Sequence, residues 1–91
     1  MSNIFDLTLL PSDQLTILKS MDKTTQFETI KRFLDIYRLS GAKKVEKFFF
    51  LLLLSDLETD FYLKFDIFCS LKDHLTIKNK LKVFRVFDTL V

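Results

Sequence analysis

Apolar residues recur at every third or fourth position along most of this chain, which is the period of one helix face. Leu15 and Leu18 follow Pro11 at such spacings, and proline suits the first turn of a helix. The pattern predicts a short first helix over about 11–21. Residues 2–10 show little period and are expected to form a helical turn or an extended lead-in.

A second amphipathic helix is predicted to begin near Thr24, because Thr25 and Glu28 have the spacing of a capping box. Ser40-Gly41 ends this helix, since glycine tolerates the left-handed conformation at a helix C-terminus. Ser40 is then available to cap the third helix. The apolar face of the second helix consists of Phe27, Ile30, Phe33, Leu34 and Tyr37.

The third helix is predicted over about 42–56 and contains the apolar run 48–54, FFFLLLL. A helix that is apolar all round contacts neighbours on several sides, which predicts that it is the central helix of the fold. A β-strand is the competing interpretation of such a run. No partner strand is visible elsewhere in the sequence, and the run is far shorter than the roughly 18–20 residues that a membrane crossing needs.

Two further helices are predicted after residue 60. Asp60 is a good N-cap for the fourth, which should stop near His74, and Thr76 can cap the fifth. The predicted core face of the fourth helix is Phe61, Phe65, Phe68 and Leu71. The fifth carries the stripe Leu81, Phe84, Phe87 and Val91, broadened by Val83, Val86 and Leu90. No polar cap follows this stripe, so we expect a partner to cover it or the natural sequence to continue.

Composition supports an all-α fold of about five helices in a single domain, residues 1–91. The chain has one Gly and one Pro among 91 residues, whereas sandwiches, barrels and doubly wound folds need these residues at many turns. Eleven Phe residues supply much of the core.

The chain also carries an internal repeat. A shift of 38 residues, which takes Asp22 to Asp60, gives seven identities and places the second helix on the fourth and the third on the fifth. The domain therefore divides into a lead-in with the first helix (1–21), one helical hairpin (22–59) and a second hairpin (60–91). The second hairpin is the one that a truncation of the natural sequence would shorten.

The segment Asp60–Leu71 resembles the second helix of a HEAT unit, with an acidic start, the pair Leu63-Lys64 and a closing leucine. It differs in having Phe68 and Cys69 where HEAT and armadillo-type repeats favour alanine, and the interhelical proline is missing. The resemblance covers 22–91 and implies antiparallel hairpins stacked side by side. A closed five-helix bundle is the alternative.

The segment Leu10–Leu18 resembles the opening of an F-box, a helical module that docks a protein onto a ubiquitin-ligase adaptor. Its Leu-Pro pair, its acid at Asp13 and its two leucines agree with that family, whereas Lys19 and Asp22 replace aliphatic residues. A compact adaptor domain, F-box-like or death-fold-like, that recruits a partner is therefore the alternative function.

Net charge and cysteine content bear on the expected binding partners and on the expected cellular compartment. The net charge is +2 with a pI near 8.7, which does not indicate a nucleic-acid binder. A single cysteine, Cys69, excludes an intramolecular disulfide and a multi-cysteine zinc site and favours a reducing intracellular, cytoplasmic setting. The first ten residues lack the basic and small-residue features of a signal peptide.

Catalysis is not expected. His74 and Cys69 have no orienting third group, and we interpret Cys69 as a packed apolar residue and His74 as a helix-end residue. A chain with one glycine cannot form a phosphate-binding loop. The acidic loop Asp56, Glu58 and Asp60 lacks the length and glycine of an EF-hand. No cofactor or metal is predicted.

Basic residues provide the candidate binding site. Lys44 and Lys47 lie on the third helix, and Lys78, Lys82 and Arg85 on the fifth, where the repeat places the two sets side by side. The candidate partner-binding residues are Lys44, Lys47, Lys78, Lys82, Arg85, Phe84, Phe87 and Val91. They predict a non-enzymatic interaction or scaffold module, the N-terminal part of a longer helical-repeat protein. Its expected partner is another protein or further chain of the same protein, in a homo-oligomer or as a complex subunit.

Overall fold

The computed structural model describes residues 8–55, 57 and 61–90, with side chains described as far as residue 87. Over this part of the chain there are five α-helices and no strand, which confirms the all-α prediction. The helices are α1 (Pro11–Lys19), α2 (Lys23–Ser40), α3 (Lys43–Leu54), α4 (Phe61–Leu71) and α5 (Ile77–Leu90). A 3₁₀ turn at Lys72–His74 follows α4. Residues 1–7 and the acidic residues Asp56, Glu58 and Asp60 lie outside the described part.

Helix α3 is the centre of the fold and contacts each of the other four helices. Its side chains at Val45, Phe48, Phe49, Leu52 and Leu53 are completely or almost completely buried. Burial of such side chains contributes roughly 1.5–3 kcal/mol each. The helix ends at Leu54, two residues before the predicted boundary, because Ser55 is extended and its hydroxyl donates to the Leu52 carbonyl.

Helices α2 and α3 form an antiparallel hairpin around Gly41. This glycine has φ +62° and its N–H donates to the Tyr37 carbonyl at 2.7 Å, as predicted for the end of α2. Edge-to-face ring pairs Phe33–Phe48 (5.5 Å) and Tyr37–Phe49 (6.4 Å) join the two helices.

Both predicted caps of this hairpin are wrong in detail. Asp22, not Thr25, is the N-cap of α2, because its carboxylate accepts the Thr25 N–H at 2.7 Å. The N-cap position of α3 is Ala42 rather than Ser40. The Ser40 hydroxyl instead donates to the Ile36 carbonyl at 2.8 Å and accepts the Ala42 N–H at 3.3 Å.

The buried face of α4 differs from the predicted one. Phe68 and Leu71 are buried as expected, but Phe61 and Phe65 are about half exposed. The helix turns Leu63, Lys64 and Ile67 toward α3 instead. Residues 61, 65 and 68 and residues 63, 67 and 71 both have helical spacing, and packing against α3 selects the second set.

Helix α1 packs against α3 through Leu15 and Leu18, which are buried as predicted. The amide of Gln26 on α2 donates to the carbonyls of Leu18 and Lys19 at 3.1 and 3.4 Å. These bonds connect the last turn of α1 to α2, and the Leu18 carbonyl also accepts the Met21 N–H at 3.1 Å. The first helix is thereby fixed to both helices of the α2–α3 hairpin.

Candidate protein-interaction surface

Helix α5 is held in place by one fully buried residue and a set of aromatic contacts. The Thr76 hydroxyl caps the helix by accepting the Asn79 N–H at 3.2 Å, which confirms the predicted cap. Val83 is completely buried. Phe84 lies 5.3 Å from Phe68 of α4, measured between ring centroids. Phe87 lies 5.9 Å from Phe61 and 6.0 Å from Phe68, so α4 and α5 run antiparallel.

The outward side of α5 carries an apolar strip. Ile77, Leu81 and Phe84 are 78%, 51% and 45% exposed. We call these three residues the α5 strip. They are spaced at four and three residues, so they lie along one line of the helix. The strip includes Phe84 of the predicted binding residues, whereas Phe87 is half-buried against α4 and Val91 lies outside the described residues.

Three basic residues run beside the α5 strip. Lys78, Lys82 and Arg85 are exposed. At about 100° per residue they occupy the sector of the helix next to Leu81, on the side away from α4. Lys44 and Lys47 are exposed on α3, opposite the buried positions of that helix. The side of α5 next to the strip is therefore basic, and α3 carries two further exposed lysines.

Aromatic residues of α4 extend the exposed apolar surface. Phe61 and Phe65 stack at 6.4 Å, and Tyr62 is the most exposed aromatic residue of this helix. The spacing of apolar residues predicted Phe61 and Phe65 in the core, and this prediction is wrong. The competing set Leu63, Ile67 and Leu71 was the signal in the sequence that could have placed these two aromatics outside.

An open groove of about 560 Å³ lies between α2 and α4. Phe27 and Lys31 line it from α2, and the Lys31 ammonium lies 5.1 Å from the centroid of the Phe27 ring. Cys69 lies on the α4 side and is exposed, which corrects its interpretation as a packed apolar residue. An ion pair between Arg38 and Asp66, at 3.0 Å, spans the same two helices.

Among the described residues, Tyr37 and Asp22 have shifted pKa values, and neither residue belongs to the α5 strip. Burial raises the pKa of Tyr37, and a hydrogen bond to the nearby Glu46 carboxylate raises it further. A hydrogen bond from the Thr25 backbone lowers the pKa of Asp22. Both shifts follow from contacts that hold helices together or cap them. In the described part of the chain, no three side chains of the His, Cys, Asp and Glu types come together as a metal site would require.

Comparison with known proteins finds a viral relative of part of the chain. The chain is similar to "Uncharacterized protein 061R" of Invertebrate iridescent virus 3. The two are 41% identical over 66 residues, which is 72% of this chain. The match spans 14% of the length of that relative. No protein-family description matches the chain, and no solved structure matches it.

None of the helices in the described residues has both the length and the apolar content that a membrane crossing requires. The longest helix, α2, has 18 residues and carries charges along its exposed face. The site to be explained is therefore an exposed surface, formed by the α5 strip, its basic neighbours and the aromatic residues of α4.

Proposed function

We propose that this chain is a non-enzymatic protein–protein interaction module made of stacked helical hairpins of the HEAT type. The α5 strip is the surface on which further protein docks. The observation that carries the proposal is the exposure of Ile77, Leu81 and Phe84 along one line of a well-anchored helix. Contiguous apolar surface of this kind marks an interaction site more often than a solvated face.

Burial follows the 38-residue repeat and supports the stacked-hairpin architecture. Five pairs of equivalent positions are buried in both hairpins, namely Gln26 and Lys64, Thr29 and Ile67, Ile30 and Phe68, Phe33 and Leu71, and Val45 and Val83. The first pair consists of polar residues, which rarely occupy such positions by chance. The exposed aromatic residues Phe27 and Phe65 are also equivalent. This agreement favours two copies of one structural unit.

Helix neighbours support the same architecture. Helix α3 contacts α1 and α5, while the Arg38–Asp66 ion pair connects α2 with α4. These neighbours support a layer of α1, α3 and α5 beside a layer of α2 and α4. In repeat proteins each unit is covered by its neighbour, and the last unit keeps an uncovered apolar face.

The α5 strip lies where the next unit of such a stack would pack. Val83 faces the core, and Phe84 marks the side of α5 toward α4. At about 100° per residue, Ile77 and Leu81 then lie on the side of α5 opposite α3. The occupant can be a further hairpin of the same protein or a partner. A reducing, cytoplasmic setting is part of this proposal, because the lone Cys69 is exposed.

Sedimentation equilibrium of the purified chain tests the proposal. We expect the apparent mass of the wild type to rise with concentration, because the exposed strip of one copy binds an apolar surface of another copy. Leu81→Lys is expected to remain folded, by circular dichroism, and to stay monomeric. Leu39→Lys is the matched control, since Leu39 on α2 is 90% exposed and lies away from the strip. This control should associate as the wild type does.

A closed adaptor bundle, F-box-like or death-fold-like, makes the opposite prediction. All its helices complete one core, so the chain would stay monomeric at the highest concentrations that can be reached. A monomeric wild type, or equal association of the Leu81→Lys and wild-type chains, would overturn the proposed docking role of the strip.

A further inference from the structure

We infer that the α5 strip of one copy binds the outer face of α1 of a second copy, head to tail. This inference rests on the proposed function and names its partner. The outer face of α1 consists of Asp13 and Ile17 together with Leu10, the extended residue that precedes the helix, and it lies away from the face that packs on α3.

Two apolar side chains with one acid between them form this α1 face. Leu10 is 62% exposed and Ile17 is 42% exposed, although the same short helix buries Leu15 and Leu18. Asp13 is exposed and lies between the two apolar residues in helical register. A helix of nine residues thus has one face on α3 and a second apolar face that the described residues leave open.

Charge makes the α1 face a better partner for the α5 strip than a second α5 strip. Residues 77–87 contain four basic residues and no acid. Two such helices would bring like charges into one interface, which is unfavourable. The α1 face instead offers the Asp13 carboxylate to the row formed by Lys78, Lys82 and Arg85. Apolar side chains then meet apolar side chains, and the acid meets the basic flank.

The geometry of the stack agrees with this pairing. In the proposed stack, α1 and α5 are the outer helices of one layer and α3 lies between them. Placing α1 of the next copy against the strip of α5 extends that layer by one more helix. The contact is heterologous, so it leaves one strip and one α1 face free and produces open chains of copies. A contact of one short helix on another is small, so the association is expected to be weak and concentration-dependent.

A mixing experiment with two blocked variants tests the pairing. Ile17→Lys blocks the α1 face, and Leu81→Lys blocks the α5 strip. Each variant alone is expected to be monomeric by sedimentation velocity, because each has only one usable face. An equimolar mixture has one intact pair of faces and should form a 1:1 dimer, and nothing larger. Native mass spectrometry with one isotopically labelled variant identifies the mixed dimer.

The outcomes separate this inference from the proposed function. If Ile17→Lys associates like the wild type while Leu81→Lys does not, the strip is an interface with a different occupant and the head-to-tail pairing is wrong. A mixture that stays monomeric also overturns the pairing. If the wild type itself is monomeric, the proposed function fails as well.

Substitutions at two more exposed positions replace Ile17→Lys and Leu81→Lys in the experiment when either of these variants does not fold. Leu10→Lys repeats the block on the α1 face, and Ile77→Lys repeats it on the strip, at side chains that are even more exposed. Asp13→Asn should weaken wild-type association and reduce its sensitivity to salt, because it removes the charge that faces the basic row. Unchanged salt dependence would contradict the electrostatic part of the pairing.

Discussion

The Tyr37 hydroxyl donates a hydrogen bond of 2.7 Å to Glu46 Oε2, so that α2 and α3 are joined by a polar contact beside their aromatic one. Tyr37 is buried, and the Glu46 side chain is largely buried. The hydrogen bond therefore satisfies a hydroxyl group that water cannot easily reach.

Replacing Tyr37 tests how much this contact contributes. Tyr37→Phe keeps the ring and removes the hydroxyl, and we expect it to lower the free energy of unfolding by about 1 kcal/mol. Urea denaturation near neutral pH measures the change. Tyr62→Phe is the control, because Tyr62 is exposed on α4 and its hydroxyl should contribute less than about 0.5 kcal/mol. Equal losses in the two variants would show that the Glu46 contact contributes nothing specific.

The same tyrosine predicts a loss of stability in alkali. Its pKa is raised in the folded chain above the ordinary value of 10.0, chiefly by burial. The stabilisation is present in full below that ordinary value and is lost as the pH rises toward the folded pKa, because the unfolded chain ionises first. Denaturation from about pH 8 to about pH 11 should therefore show a steeper decline for the wild type than for Tyr37→Phe. Parallel curves would contradict the assignment.

Asp22 predicts the opposite dependence in acid. Its pKa is lowered below 3.8 by the hydrogen bond from Thr25, so the stabilisation is present above that value and is lost as the pH falls. Asp22→Ala should lower the melting temperature at neutral pH and remove part of the decline in acid. Asp35→Ala, at an exposed position in the middle of α2, is the control and should change neither. A similar effect of both substitutions would mean that the cap is not the cause.

Gly41 is predicted to resist replacement because of its backbone alone. A Cβ atom at this position would meet nothing within 4 Å, but φ is +62°. Gly41→Ala is therefore expected to cost about 1 kcal/mol, and Gly41→Asn less, since asparagine adopts this conformation more readily. Thermal melts of the two variants measure the order. An alanine variant as stable as the wild type would show that the turn has moved to another conformation.

The sequence predicted the positions of the helices well, but it predicted the buried face correctly for only some of them. The run 48–54 is apolar on every side, so any orientation of α3 buries it, and the prediction of a central helix is confirmed. In α4, two apolar sets of residues compete for the core. Nothing in the local pattern distinguishes Phe65 from Ile67, and only the position of α3 decides between them.

The residues of the candidate surface could likewise be predicted only in part from the sequence. Phe84 and the basic residues of α5 could be named from helical spacing, since spacing defines which residues share a side. The α1 face could not, because Ile17 and Leu18 are equally apolar in the sequence. Only the placement of α3 buries one and leaves the other exposed.

Because α3 contacts the other four helices, separating any one of them from the domain would expose apolar surface on α3. Phe48 and Phe49 are completely buried, so we expect their amide hydrogens to exchange with solvent only when the whole core opens and their protection to report the global free energy of unfolding. A chain divided at the turn before α3 would remove the α3 side chains that cover the apolar faces of α1 and α2. We therefore expect the described helices to unfold together, as one cooperative unit.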